Sequence, residues 1–141
     1  MPEREIPITF RLHGAMCGAL GIGNNLNKAS ESDLQIISEY VGTYKRIRDV
    51  IQFGRLYRLK SLAECELQAV QYNREGKSVV FVFLPTIRMG KKWYRLKLRG
   101  LEEEKTYQVK INGEKIIKSG SYLVNYGVEV NLTHDYDSQM I

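Results

Sequence analysis

Glu64-Cys65-Glu66-Leu67-Gln68-Ala69-Val70-Gln71-Tyr72-Asn73-Arg74-Glu75-Gly76-Lys77-Ser78-Val79-Val80-Phe81-Val82-Phe83-Leu84 is the stretch on which the fold turns. Two runs rich in β-branched and aromatic residues flank Asn73-Arg74-Glu75-Gly76-Lys77, a polar segment with a glycine. That pattern predicts strands over Glu64–Tyr72 and Ser78–Leu84 joined by a turn. The same short period runs outward from it. Leu56–Leu59 precedes the pair, and Lys92–Leu98, Thr106–Ile111, Glu114–Lys118, Val128–Leu132 and Asp137–Ile141 follow. Asn112-Gly113 between two of these runs is the favoured type I′ hairpin dipeptide, because both residues accept positive φ. Seven or eight short strands at this spacing predict an antiparallel β-sandwich, so the fold class is mainly β.

Upstream of about residue 57 the pattern is helical and punctuated by glycine. Ser30-Glu31-Ser32-Asp33 has the form of a capping box, with a hydroxyl at the N-cap and a carboxylate three residues on. Leu34, Ile37, Val41, Tyr44, Ile47 and Ile51 then recur at intervals of three and four, and Gly54 offers a stop. A helix over about 31–52 follows. A second helix is expected over about 8–18, where Phe10, Gly14 and Cys17, and Leu12, Ala15 and Ala19, fall at helical spacing. Leu20-Gly21-Ile22-Gly23-Asn24-Asn25-Leu26 is too short for a helix and reads as a buried strand. Two domains are therefore expected, 1–57 and 58–141.

Composition narrows the function classes. With 141 residues, 43% hydrophobic and 26% charged, the chain can bury a core but has no room for a large enzyme. Its 21 Lys and Arg against 16 Asp and Glu give a net charge of +5, which permits attraction to polyanions without requiring it. Two cysteines, Cys17 and Cys65, exclude a four-cysteine zinc site and a disulfide scaffold, and read as reduced, buried thiols. No apolar run approaches the length of a membrane-spanning helix, so the expected location is cytoplasmic with no membrane partner.

Candidate sites are few. Asn24 and Asn25, at the end of the short strand, are weak candidates for substrate contacts, and turn-making explains them as well. Gly18-Ala19-Leu20-Gly21-Ile22-Gly23 lacks the complete phosphate-binding pattern and reads as close packing. His13 and His134 have no second ligand at metal spacing, so no metal is expected. Asp135 with Asp137, and Glu64 with Glu66, share strand faces as solvated edges do, and Glu102-Glu103-Glu104 fits a solvated turn. The sharpest signal is Lys92-Trp93-Tyr94-Arg95-Leu96-Lys97-Leu98-Arg99. Trp93, Arg95, Lys97 and Arg99 alternate with Tyr94, Leu96 and Leu98, placing an aromatic and three cations on one face. Such a face can stack bases and neutralise phosphates, or it can guard a strand edge against unwanted pairing. The second reading is favoured over a nucleic-acid partner, with Trp93 kept as a candidate sugar-stacking platform or a contact with a further domain.

Several of these segments together resemble glycoside hydrolase family 36 α-galactosidases. Phe10-Arg11-Leu12-His13-Gly14-Ala15-Met16-Cys17-Gly18-Ala19-Leu20-Gly21-Ile22-Gly23-Asn24-Asn25-Leu26 looks like the stretch before the eighth helix of their (β/α)8 barrel. Tyr44-Lys45-Arg46-Ile47-Arg48 and Gln52-Phe53-Gly54-Arg55-Leu56-Tyr57-Arg58-Leu59 fit the same family. So do Leu96-Lys97-Leu98-Arg99-Gly100-Leu101 with Thr106-Tyr107-Gln108-Val109, in the manner of glycosidase C-terminal sandwiches. Residues 119–128 and 135–141 are similar to the family's final strands.

The resemblance runs the length of the chain, and it implies the last unit of a barrel followed by a C-terminal sandwich. It further implies a parent enzyme that hydrolyses terminal α-galactosides with retention, using an aspartate nucleophile and an aspartate acid/base. Both lie on barrel strands upstream of the matched region, so this chain is expected to be structural, without catalytic residues and without a cofactor. Retention needs two carboxyl groups roughly 5–5.5 Å apart. The barrel is then the expected partner, the α-galactoside is a ligand of the full-length enzyme, and a homo-oligomer remains open. The alternative is a non-catalytic sandwich module that binds carbohydrate or polyanion.

Overall fold

The computed structural model describes residues 6–21, 26–60, 66–86 and 92–141, with side chains of the last stretch from residue 94. Its elements are α1 (Ile8–Met16), α2 (Glu31–Phe53), β1 (Arg55–Lys60), β2 (Gln68–Arg74), β3 (Lys77–Leu84) and β4 (Lys92–Leu96). They continue with β5 (Thr106–Ile111), β6 (Glu114–Ser119), α3 (Gly120–Asn125), β7 (Val128–Leu132) and β8 (Asp137–Met140). The eight strands expected from Leu56 onward are all present, with ends shifted by a few residues. The β2–β3 turn narrows to Glu75 and Gly76, both at positive φ, between the closing pair Arg74 and Lys77. Asn112 and Gly113 are likewise both at positive φ, as a type I′ turn requires.

The strands form antiparallel sheets that do not close: one four-stranded sheet in the order β1-β2-β3-β8, and two ribbons, β4-β7 and β5-β6. β3 lies inside the larger sheet with a covering layer on each side, which explains its unbroken apolar sequence. Val80, Val82 and Leu84 pack with Leu96, Leu98, Val109, Leu123, Val128, Val130 and Leu132, forming the core between the large sheet and the ribbons. Val79, Phe81 and Phe83 pack with Met16, Tyr44, Val50 and Ile51, forming a second core under the two long helices. The sandwich therefore carries a third, helical layer.

α2 begins at Ser30, whose hydroxyl accepts the Asp33 amide at 3.2 Å, and its last turn ends where the Gly54 amide reaches the Val50 carbonyl at 2.9 Å. α1 is shorter than expected, ending at Met16, and the Cys17 amide turns back to the Gly14 carbonyl. The strand expected over 20–26 is not seen in its described residues. Leu20 and Gly21 form no ladder, and Leu26 opens a short 3₁₀ turn, while residues 22–25 lie outside the described residues. A single strand needs a neighbour to satisfy its amides, and among the described residues none pairs with it.

The likeness of residues 119–128 to final strands needs correcting as well. Gly120–Asn125 is helix, and only Val128–Leu132 is strand. Ser119 caps this turn by accepting the Tyr122 amide at 3.1 Å, and Leu123 is driven into the core beside Leu98, whose amide bonds the Leu123 carbonyl at 2.9 Å. Gly127 then brings β7 against the end of β4. It has φ +90°, and a side chain there would strike the Leu96 carbonyl.

Candidate functional site

Few of the sequence candidates fall among the described residues. Asn24 and Asn25 lie outside the described residues, as do Glu64 and Cys65. Trp93 has its backbone in β4 opposite Asn131. Beyond it the alternation holds: Leu96 and Leu98 are buried, and Arg95, Lys97 and Arg99 are exposed. Two of those cations lie over the protein's own rings. The Arg95 guanidinium is 3.8 Å from the Tyr126 ring centre, and Arg99 and Arg55 lie 5.3 and 5.2 Å from that of Tyr57.

Four of the described carboxylates are engaged with neighbouring groups. Asp137 accepts the amides of Thr133 and Ser138 at 2.8 and 2.9 Å and lies 3.8 Å from the His134 ring. Glu102 holds Lys105 at 2.8 Å, Asp49 faces Arg74 at 3.9 Å, and Glu66 accepts the Tyr94 hydroxyl at 3.2 Å. No cluster of three or more metal-ligating side chains occurs among the described residues.

Among the described residues, the densest polar arrangement carries no signature in the sequence. The Gln71 side chain is fully buried and holds the backbone of Arg99 as a neighbouring strand would. Its carbonyl accepts the Arg99 amide at 2.9 Å, and its amide donates to the Arg99 carbonyl at 2.8 Å. Asn73 and Ser78 complete the network, with Asn73 donating to the same carbonyl at 2.8 Å. This clamp fixes the segment after β4 to β2, where Gly100 at φ +67° passes too close to Tyr57 and Asn73 for any side chain. Its role is architectural.

A groove on the helical side has a different character. α1, α2, the Asn112-Gly113 turn and β8 enclose an open space of about 560 Å³. His13 forms one wall, buried, with Nδ1 2.7 Å from the Ser138 hydroxyl and its ring 5.2 Å from that of Tyr40. Burial holds the His13 imidazole down at about 4, against a smaller opposing pull from Asp137, so it is neutral near pH 7. Burial also raises the Tyr40 hydroxyl, which stays protonated, and the neighbouring Cys17 thiol, pushed up to about 11, is not a nucleophile. The buried Gln139 amide donates to Asn112 Oδ1 at 3.0 Å. Glu39, Arg46 and Lys110 complete the polar lining. His13 and Ser138 are 125 residues apart, so only tertiary structure assembles this place.

Comparison with known proteins places these features in a wider group. Residues 65–141 match the family model described as the glycosyl hydrolase family 36 C-terminal domain. The chain is 29% identical over 143 residues to a probable α-galactosidase C of Aspergillus flavus, covering 98% of this chain and 18% of that protein. With α-galactosidase 1 of Pediococcus pentosaceus the identity is 32% over 126 residues, covering 84% and 17%. Among solved structures, the family 36 α-galactosidase AgaB of Geobacillus stearothermophilus superposes with a TM-score of 0.88 at 28% identity, over 97% of this chain and 19% of that one. The chain thus spans about a fifth of the length of the relatives it matches.

Proposed function

The chain belongs to glycosyl hydrolase family 36 through the C-terminal domain that residues 65–141 match, and from that premise we propose that it serves as the C-terminal part of an α-galactosidase. In this reading residues 1–57 complete a (β/α)8 barrel and 58–141 brace it from outside. The barrel supplies the two carboxylates and binds the terminal α-galactoside, in cytoplasmic surroundings where the Cys17 thiol stays reduced. One observation carries the reading. The likeness extends over 98% of the chain, helices included, in a protein several times longer. A free-standing module would be expected to share its sandwich alone.

Asp137, Glu102, Asp49 and Glu66 hold turns or pair with neighbours, in keeping with a bracing role. The test is a chimera in which this chain replaces the matched fifth of the Pediococcus enzyme. The chimera is expected to hydrolyse an aryl α-galactoside, while the enzyme truncated before that region and the isolated 141-residue chain are inactive. Turnover by the isolated chain, or a chimera no better than the truncation, overturns the proposal.

A further inference from the structure

We infer that β6 is the pairing edge for a second copy of this chain, which continues the β5-β6 ribbon as one antiparallel sheet across a two-fold axis. β6 pairs with β5 alone, and nearly all of it is exposed, Ile117 to 70%. The ladder fixes which backbone groups face out. Glu114 stands opposite Ile111, Ile116 opposite Val109 and Lys118 opposite Tyr107, and beyond them the Gly120 amide reaches the Lys105 carbonyl at 2.8 Å. Hydrogen-bonded pairs alternate along an antiparallel ladder, so Glu114, Ile116 and Lys118 bond inward to β5. Lys115 and Ile117 therefore point their N–H and C=O groups outward, and nothing among the described residues bonds them.

Lysines commonly guard such an edge, but here the charges select a partner. Glu114-Lys115-Ile116-Ile117-Lys118 is self-complementary about Ile116. With two copies antiparallel and the axis at Ile116, Glu114 of each stands opposite Lys118 of the other. Ile116 then meets Ile116, on the side that lines a groove with Tyr122 and Val128. Lys115 and Ile117 lie opposite each other and exchange the outward hydrogen bonds, the lysine stem covering the isoleucine. Among the described residues Glu114 pairs with no cation, and Lys118 holds its ammonium 4.5 Å from the Tyr122 ring centre, a contact that uses none of its donors. Centring the axis on Lys115 opposes two lysines, and centring it on Ile117 leaves Glu114 without Lys118. A shift of one residue sets inward-bonding groups against outward-bonding ones. The match selects a second copy over an unrelated strand. The edge is separate from the surface that the barrel reading uses, since α2 packs on β1, β2 and β3, and β6 lies beside β5 and α3. The chimera can fail while the dimer stands, and the reverse.

The experiment is sedimentation of the 141-residue chain over roughly 10 µM to 1 mM, where a strand pair of small area is expected to give a reversible dimer. Glu114→Lys and Lys118→Glu each oppose like charges across the axis. Each is expected to weaken dimerisation about tenfold, and an equimolar mixture of the two variants is expected to restore it. The register is read by cysteine. Ile116→Cys places two thiols on the axis, with Cα atoms about 4.5 Å apart and within disulfide reach. Under mild oxidation it is expected to form a linked dimer several-fold faster than Ile117→Cys, although Ile117 is the more exposed residue. The proposal is overturned if the chain stays monomeric throughout, if mixing the charge variants restores nothing, or if Ile117→Cys links as fast as Ile116→Cys.

Discussion

The two faces of β3 are covered in different ways. On the sandwich side, Val80, Val82 and Leu84 meet apolar neighbours from the ribbons and α3, and the polar groups there are gathered in the Gln71–Arg99 clamp beside Val80. On the helical side, Val79, Phe81 and Phe83 meet a layer that also carries His13, the Cys17 thiol and the Tyr44 hydroxyl, which donates to the Gly18 carbonyl at 2.6 Å. The first interface resembles the inside of an independent domain. The second is a docking surface with polar groups sealed into it, and only the C-terminal half of α2 reaches it deeply, through Tyr44, Val50 and Ile51. Hydrophobic area and the neutral Gln71 clamp hold the sandwich, neither of which titrates, whereas the helical layer depends on protonation and on how well a few large side chains fit.

The hardest test of that contrast is Phe81→Ala. Phe81 is fully buried and packs against the rings of Tyr72 and His13. Its loss is expected to cost about 3–5 kcal/mol. Hydrogen exchange is expected to show α1 and α2 opening while β5, β6 and β7 keep their protection. If both layers lose protection together, the two faces form one cooperative unit and the contrast is wrong.

A smaller effect separates the layers by pH. Folding holds the His13 imidazole at about 4 against 6.5 in an open chain, because burial disfavours the charged form. A base whose pKa is lowered by folding takes up its proton first in the unfolded chain. Stability is therefore complete above pH 6.5, declines as the pH falls, and has lost its full share below pH 4. A shift of that size corresponds to about 3 kcal/mol. Urea midpoints measured between pH 7 and 4 are expected to fall accordingly in the parent chain and to flatten in His13→Gln. An unchanged slope in that variant would place the titration elsewhere.

These residues also show where sequence reading succeeds. The capped stripe of α2 and the alternation of the strands are local signals repeated over many residues, and tertiary structure did not override them. α3 escaped because six residues are too few to display a period, and its helix is settled by Leu123 entering a core built from distant strands. Gln71 reads as an ordinary polar strand residue until Arg99 is laid beside it. The groove was illegible for the same reason, since Tyr40, Asn112 and Gln139 meet only after the helices fold back on β8. Asn24, Asn25 and the Trp93 side chain lie outside the described residues.

The smallest expected effect on stability bears most directly on the assembly. Leu34 is 39% exposed and Phe53 73% exposed, near opposite ends of α2. Apolar side chains left in water stabilise the isolated chain little, so Leu34→Gln and Phe53→Gln are expected to change its unfolding free energy by no more than about 0.5 kcal/mol. Side chains that contribute little to their own domain, Phe53 carrying the Arg74 guanidinium 5.2 Å from its ring centre, are ones a neighbouring barrel would cover. In the chimeric α-galactosidase the same pair of substitutions is expected to lower the melting temperature of the whole enzyme and its recovery in soluble form. If the chimera tolerates both as easily as the isolated chain does, the outer face of α2 is ordinary surface, and the difference between the two layers lies wholly within this chain.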